Sequence, residues 1–254
     1  MGFGDFKKDG GVKDVFGASP NMELQYNRGS FNPLDVNGLQ LYLAKNNATP
    51  SSWLDQSPNA FDFVQATGTK QPTISANSVD FDGVDDVQQV IGSSLLNDSS
   101  GIIFFSGYYD NTSNNRIFAS ADVLTNNELF HVQIQASTGR VRLVIIQGGV
   151  NRVISVTNPI TNGAYYYGYI ESNDTSYTMS LNGVVETLIV VSGTNNGDWL
   201  ANVSNRDNLS LGSIIRATPV YGKTKINKLL YSNATLTTAE KAAINNFMSK
   251  PANY

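Results

Sequence analysis

From residue 38 onward, apolar and polar residues alternate in short runs separated by turn residues, the period-two signature of half-buried strands. Ser78 to Val90 shows it clearly, with Val79 and Phe81 alternating with Asp80 and Asp82. Asp82-Gly83 supplies a turn, since glycine takes positive φ at little cost. Val84, Val87 and Val90 then lead back into apolar surroundings, so the stretch predicts a strand, a tight acidic turn and a return. Gly101 to Tyr108 is almost unbroken apolar sequence and predicts a central strand covered on both faces. After Glu128 comes a meander: Phe130, Val132, Ile134 and Ala136 alternate with Leu129, His131, Gln133 and Gln135. Turns at Ser137 to Arg140 and Gln147-Gly148-Gly149 lead to further strands, including Tyr165 to Ile170 and Tyr177 to Leu181. Asn182-Gly183 then marks a hairpin into a strand from Val184 to Val191. One helix is specified near the end. Thr237 and Glu240 form a capping box with Leu236 as staple, Ala243, Ile244, Phe247 and Met248 make one apolar stripe, and Pro251 stops it.

Many short antiparallel strands with regular turns predict an all-β sandwich. Several segments strengthen this by resemblance. Phe81-Asp82-Gly83-Val84-Asp85-Asp86 resembles the F-D-G-x-x-D/N-Y signature of laminin-G-like jelly rolls, within the concanavalin A-like lectin/glucanase superfamily. Gly38 to Leu43 is similar to that family's opening strand, Trp53 to Ser57 to its W-x-D-x-S segment, and Tyr177 to Val184 to its late hairpin. Leu209 to Gly212 and Ile226 to Glu240 resemble its final strands and helix. The pieces occur in family order over residues 38 to 248. Val87 departs by standing where the family carries an aromatic residue, and the closing strand lacks the acidic pair. The resemblance implies an antiparallel β-sandwich jelly roll with one short C-terminal helix. It implies no particular activity.

Residues 1–37 are different. Glycines are spaced among Phe3, Phe6, Phe16 and Phe31 with no sustained period, which predicts an extended N-terminal arm ahead of a single jelly-roll domain over residues 38–254. Ordering such backbone costs about 1–2 kcal/mol per residue. The arm therefore needs a surface, either its own domain or a larger assembly, with the four phenylalanines as candidate assembly contacts.

Composition narrows the function. The net charge of −4 gives no electrostatic reason to expect nucleic acid or an anionic membrane as partner, and no window is long and apolar enough for a membrane span. Without cysteine there is neither a disulfide framework nor a thiolate metal site. The opening residues carry no apolar signal-peptide core, and the 29 asparagines with abundant Ser, Thr and Gly suit a neutral, turn-rich surface.

The chemistry-bearing residues favour binding over catalysis. His131 is the only histidine and lies mid-strand, with no G-x-S-x-G elbow to serve. Glycoside hydrolysis needs two opposed carboxylates. Of the five glutamates, none forms the E-x-D-x-x-E strand that glucanases of the resembled superfamily carry. Asp82, Asp85 and Asp86 are hard-oxygen ligands of the kind calcium prefers, though capping of the turn is the preferred reading and no cofactor is expected. Two loops combine aromatic and amide or carboxylate groups suited to sugars: Tyr108, Tyr109 and Asp110 with Asn111, and Asn195, Asn196, Asp198 and Trp199. Trp199, in so polar a loop, is a candidate sugar platform if exposed, while the resemblance also allows a core residue tucked under the sheet.

The resemblance extends to modules in phage structural proteins. The first reading is thus a non-enzymatic accessory protein at a virion surface: capsid decoration, head fibre or tail component. Its arm would hold it to other virion proteins, as a homo-oligomer, and the jelly roll would meet host-surface glycans. The alternative is a carbohydrate-binding module of a bacterial surface adhesin or secreted enzyme.

Overall fold

The computed structural model describes residues 31–92 and 96–251. The chain opens with β1 (Leu39–Ala44), β2 (Ser52–Trp53), β3 (Phe63–Val64), β4 (Thr73–Ile74), β5 (Val79–Asp82) and β6 (Gln88–Ile91). Longer strands follow: β7 (Gly101–Tyr108), β8 (Asn115–Ala121), β9 (Leu129–Gln135), β10 (Arg140–Gln147), β11 (Val150–Val156) and β12 (Tyr165–Ser172). The remainder comprises β13 (Tyr177–Leu181), β14 (Val184–Val185), β15 (Leu188–Ser192), β16 (Asn208–Leu211), β17 (Ser213–Ile214), β18 (Val220–Tyr221), β19 (Lys223–Ser232) and α1 (Thr238–Met248).

These strands make two antiparallel sheets. An eight-stranded sheet runs β14-β13-β12-β7-β19-β5-β4, with β1 also paired to β19, and a nine-stranded sheet runs β15-β11-β10-β9-β8-β16-β6-β3-β2. Between them lies one core in which Phe81, Phe105, Tyr166 and Leu229 of the first sheet meet Phe118, Phe130, Leu143 and Leu209 of the second. Burial of each such side chain contributes roughly 1.5–3 kcal/mol. Trp53 sits at the core edge, fully buried, with its indole N–H donating to the Ala44 carbonyl at 2.8 Å. The all-β sandwich expected from the pattern, and the jelly roll that the resemblance implies, are therefore the architecture.

Both outer faces are partly covered. The capping box of α1 forms as predicted, with Thr237 and Glu240 satisfying each other's backbone N–H groups. Ile244, Phe247 and Met248 then bury Tyr42, Phe104, Tyr169 and Leu230 on the outside of the eight-stranded sheet. Phe31 lies against Phe247 with ring centroids 5.4 Å apart, so this candidate assembly contact packs on its own domain. Phe3, Phe6 and Phe16, with the rest of residues 1–30 of the expected arm, lie outside the described residues. On the nine-stranded sheet, the β17–β18 hairpin lays Ile214 and Val220 over Ala119, Ala121 and Leu129. Gly222 leads out of this hairpin past Arg116, where a Cβ would stand 2.4 Å from the Arg116 Cγ.

Two expectations are corrected. The stretch from Ser78 to Val90 is no hairpin: β5 belongs to the eight-stranded sheet and β6 to the nine-stranded one. Asp82 accepts the Val84 N–H at 2.8 Å and so starts a crossing between sheets, leaving Val84 72% exposed. Likewise Val184 to Val191 is two strands, with β14 at one sheet's edge and β15 at the other's. A run of β-branched residues satisfies either edge, so periodicity carries no mark of the crossing.

Candidate functional site

The loop from Asn195 to Trp199 is a plug. Trp199 is fully buried, its ring edge-on to Phe130 at 5.0 Å and its N–H 3.3 Å from the Tyr231 hydroxyl. The polar groups around it are used internally. Asn195 accepts the Tyr177 N–H at 2.7 Å, Asn196 accepts that of Asp198, and Asp198 pairs with Arg152 at 3.0 Å. The Tyr177 hydroxyl donates to the Asp198 carbonyl at 2.5 Å. Of the two placements open for Trp199 the structure takes the buried one, which rules out its candidate role as a sugar platform: the polar collar lets the loop carry its indole into the core, where no sugar can reach it.

The other loop, Tyr108 to Asn111, does line a cleft, of about 540 Å³. Tyr109 is buried, its hydroxyl donating to the Ala136 carbonyl at 2.9 Å, so it anchors the loop. Asp110 accepts from the Thr112 N–H and hydroxyl and pairs with Lys223 at 3.2 Å. Burial acts to raise the Asp110 carboxyl, but these contacts outweigh it and hold it below the usual range. Tyr108 stands half-buried in the cleft wall.

A second constellation was not foreseen. On the outer face of the nine-stranded sheet, Arg116 on β8, Gln133 on β9 and Arg142 on β10 are directly opposite neighbours across three strands. Arg116 donates from one Nη to the Gln133 side-chain oxygen and to His131 Nε2. Donation to Nε2 requires that nitrogen unprotonated, so the His131 proton sits on Nδ1. Burial, and then Arg116 nearby, push the His131 pKa down to about 3. Burial, helped by Arg216 from the β17–β18 hairpin, lowers that of Arg116 to about 10. Arg142 is lowered by burial and by Arg140. Among the described residues, none of Arg116, Arg142 or Arg216 forms an ion pair. The Nε atoms of Arg116 and Arg142 and His131 Nδ1 are buried without a hydrogen-bond partner.

Desolvated guanidinium groups with no counter-charge are costly, and such arrangements concentrate at functional sites. The sequence signal was weak: Arg116 and Arg142 alternate with apolar residues but lie 26 positions apart, and only strand order brings them into one row.

The acidic turn is self-contained. The carboxylates of Asp82, Asp85 and Asp86 lie within 4.8 Å of one another, and Asp86 accepts the Asp82 N–H at 2.9 Å. Burial first, then its two acidic neighbours, raise the Asp86 pKa.

No family model matches the sequence, and no curated protein sequence matches it. Solved structures do match in fold. The Ruminococcus gnavus IT-sialidase CBM40 aligns at 13% identity over 66% of this chain and 96% of its own, with a TM-score of 0.54. The same domain bound to α2,3-sialyllactose aligns over 58% of this chain, with a TM-score of 0.50 and 15% identity. Trypanosoma rangeli sialidase aligns over 87% of this chain at 12% identity, with a TM-score of 0.62, although the match spans 34% of that enzyme's chain. At these identities the likeness establishes the fold alone: a jelly-roll-type β-sandwich.

Proposed function

We propose that the protein is a non-catalytic carbohydrate-binding module that recognises a glycan bearing a carboxylate. The observation that carries this is the Arg116–Gln133–Arg142 row: uncompensated guanidinium groups on a sheet face, with Arg116 held by Gln133 and by a neutral histidine. A carboxylate fits because planar guanidinium groups bind it through paired, charge-assisted hydrogen bonds. The neighbour that carries α2,3-sialyllactose, an acidic sugar, supports the ligand class. The absence of catalysis is supported by the glutamates that the structure describes. Glu171 pairs with Lys241, Glu240 caps α1, Glu128 holds the Gly148 N–H and Glu186 holds Asn158.

Display on a virion, the first reading from the sequence, rests on an arm of which residues 1–30 lie outside the described residues, and the fold neighbours favour the carbohydrate-binding reading over it.

Calorimetric titration with 3′-sialyllactose and with lactose tests the proposal. Tighter binding of the first than of the second is expected, with that difference lost on Arg142→Ala. Equal affinity for both sugars, or none for either, would refute it.

A further inference from the structure

The arginine row leaves unexplained the cleft on the opposite sheet. We propose that this cleft is a second, independent binding site, for an uncharged sugar of one or two rings. Its walls come from Ser75 to Ser78, Tyr108 to Thr112, Asn162, Gly163, Asp80 and Lys225. Lys225 is directly opposite both Asp80 and Tyr108 in register, so all three share the outer face of the eight-stranded sheet.

Three features select the ligand. The first is charge. Each ionic group in the wall meets its opposite, Asp110 with Lys223 at 3.2 Å and Asp80 with Lys225 at 3.9 Å. The cleft therefore presents no uncompensated charge to attract an ion, the reverse of the arginine row.

The second is hydrogen bonding. Asn162 Oδ1 accepts the Asn111 N–H at 3.0 Å, which fixes the amide of Asn162 against the loop. Among the described residues, no hydrogen bond engages the Nδ2 of Asn162, the side chains of Asn77 and Asn111, or the Tyr108 hydroxyl. Amides and a phenol, each able to donate and accept, match vicinal sugar hydroxyls. The third is the Tyr108 ring, held edge-on to Tyr165 at 5.1 Å while the Tyr165 hydroxyl donates to the Met248 carbonyl at 2.6 Å. A half-buried ring already fixed in orientation loses little entropy when a sugar packs on it. The cleft's size, about 540 Å³, lies in the range of small-molecule sites.

Only the sugar class rests on the carbohydrate-binding reading; the independence of the two sites follows from their positions on opposite sheets. The test is a nitrogen-15 NMR titration of the full chain with the methyl glycosides of glucose, galactose, mannose and N-acetylglucosamine. Each is taken to about 50 mM, enough to load a site of millimolar Kd. At least one sugar is expected to shift the side-chain amide signals of Asn77, Asn111 and Asn162 in a saturable way, and equally well in the presence of the methyl glycoside of N-acetylneuraminic acid, which has no neutral ring.

Tyr108→Ala should weaken that binding at least about tenfold, or ~1.4 kcal/mol. Asn111→Ala, in an exposed loop, supplies a second variant should the first destabilise the fold, and should weaken binding too. Arg142→Ala should leave it unchanged. The proposal is overturned if no neutral sugar moves those amides, if both cleft variants bind as wild type does, or if the methyl glycoside of N-acetylneuraminic acid displaces the neutral sugar. Loss of the cleft signals alone would leave the arginine-row reading standing. Cleft binding without sialyllactose binding would sink only the latter.

Discussion

Replacing Trp199 separates a core residue from a sugar platform. Its ring is fully buried, edge-on to Phe130 and 6.5 Å from Tyr231, with which it also shares a hydrogen bond. Trp199→Ala leaves a large cavity among side chains that can relax only in part, a change that costs about 3–5 kcal/mol. Trp199→Phe keeps an edge against Phe130 while losing part of the ring volume and one neutral hydrogen bond. The hydrogen bond alone contributes about 1 kcal/mol, so the total should be roughly 1.5–3 kcal/mol. For a domain of this size each kcal/mol lowers Tm by about 2–4 °C, which places the Ala variant roughly 6–20 °C below wild type and the Phe variant about 3–12 °C below. Differential scanning calorimetry at pH 7 reads the shifts, and a sialyllactose titration well below the lowered Tm reads binding. Both variants should melt early, and the Phe variant should keep wild-type affinity. A variant that melts within about 1 °C of wild type but no longer binds sugar would show that the indole faces solvent and that the packing described here is wrong.

Other consequences can be measured separately. The Lys228 amine is buried over the Phe247 ring, and burial, then Lys250, lower its pKa to about 8. Because the unfolded chain holds that proton up to about pH 10, stability should rise between pH 8 and 10, and the difference between wild type and Lys228→Met should show this rise in urea denaturation. His131 titrates near 3 when folded and near 6.5 when unfolded, so it costs stability progressively as pH falls through that window. His131→Gln should flatten the acid limb of the stability curve, and an unchanged limb would mean the imidazole is not buried neutral. Thr237→Ala removes the cap of α1 and should cost about 1 kcal/mol in the same assay, whereas no change would mean the helix end is frayed.

Much of the fold was legible because it depends on local chemistry. Val79 and Phe81 point into the core, the Asn182-Gly183 turn takes positive φ at both residues, and Thr237 with Glu240 caps α1 as their spacing dictates. The failures share a cause. Which sheet a strand joins is decided by long-range pairing, so the crossings after Asp82 and after Val185 left no mark in a pattern of period two. The site was half legible. Tyr108, Asp110 and Asn111 are contiguous and do line a cleft, whereas Arg116, Gln133 and Arg142 meet only through strand order. Trp199 stayed open because a polar loop reads as exposed even when its asparagines are capping backbone and its indole is folded inward.

The most direct test of the account follows the guanidinium groups themselves. In nitrogen-15 spectra, the Nε–H signals of Arg116 and Arg142 should shift saturably with 3′-sialyllactose and stay fixed with lactose, with Arg116→Lys weakening the response because it lacks the planar fork. If those signals remain still while 3′-sialyllactose binds elsewhere, or move equally for both sugars, the arginine row is not a carboxylate site.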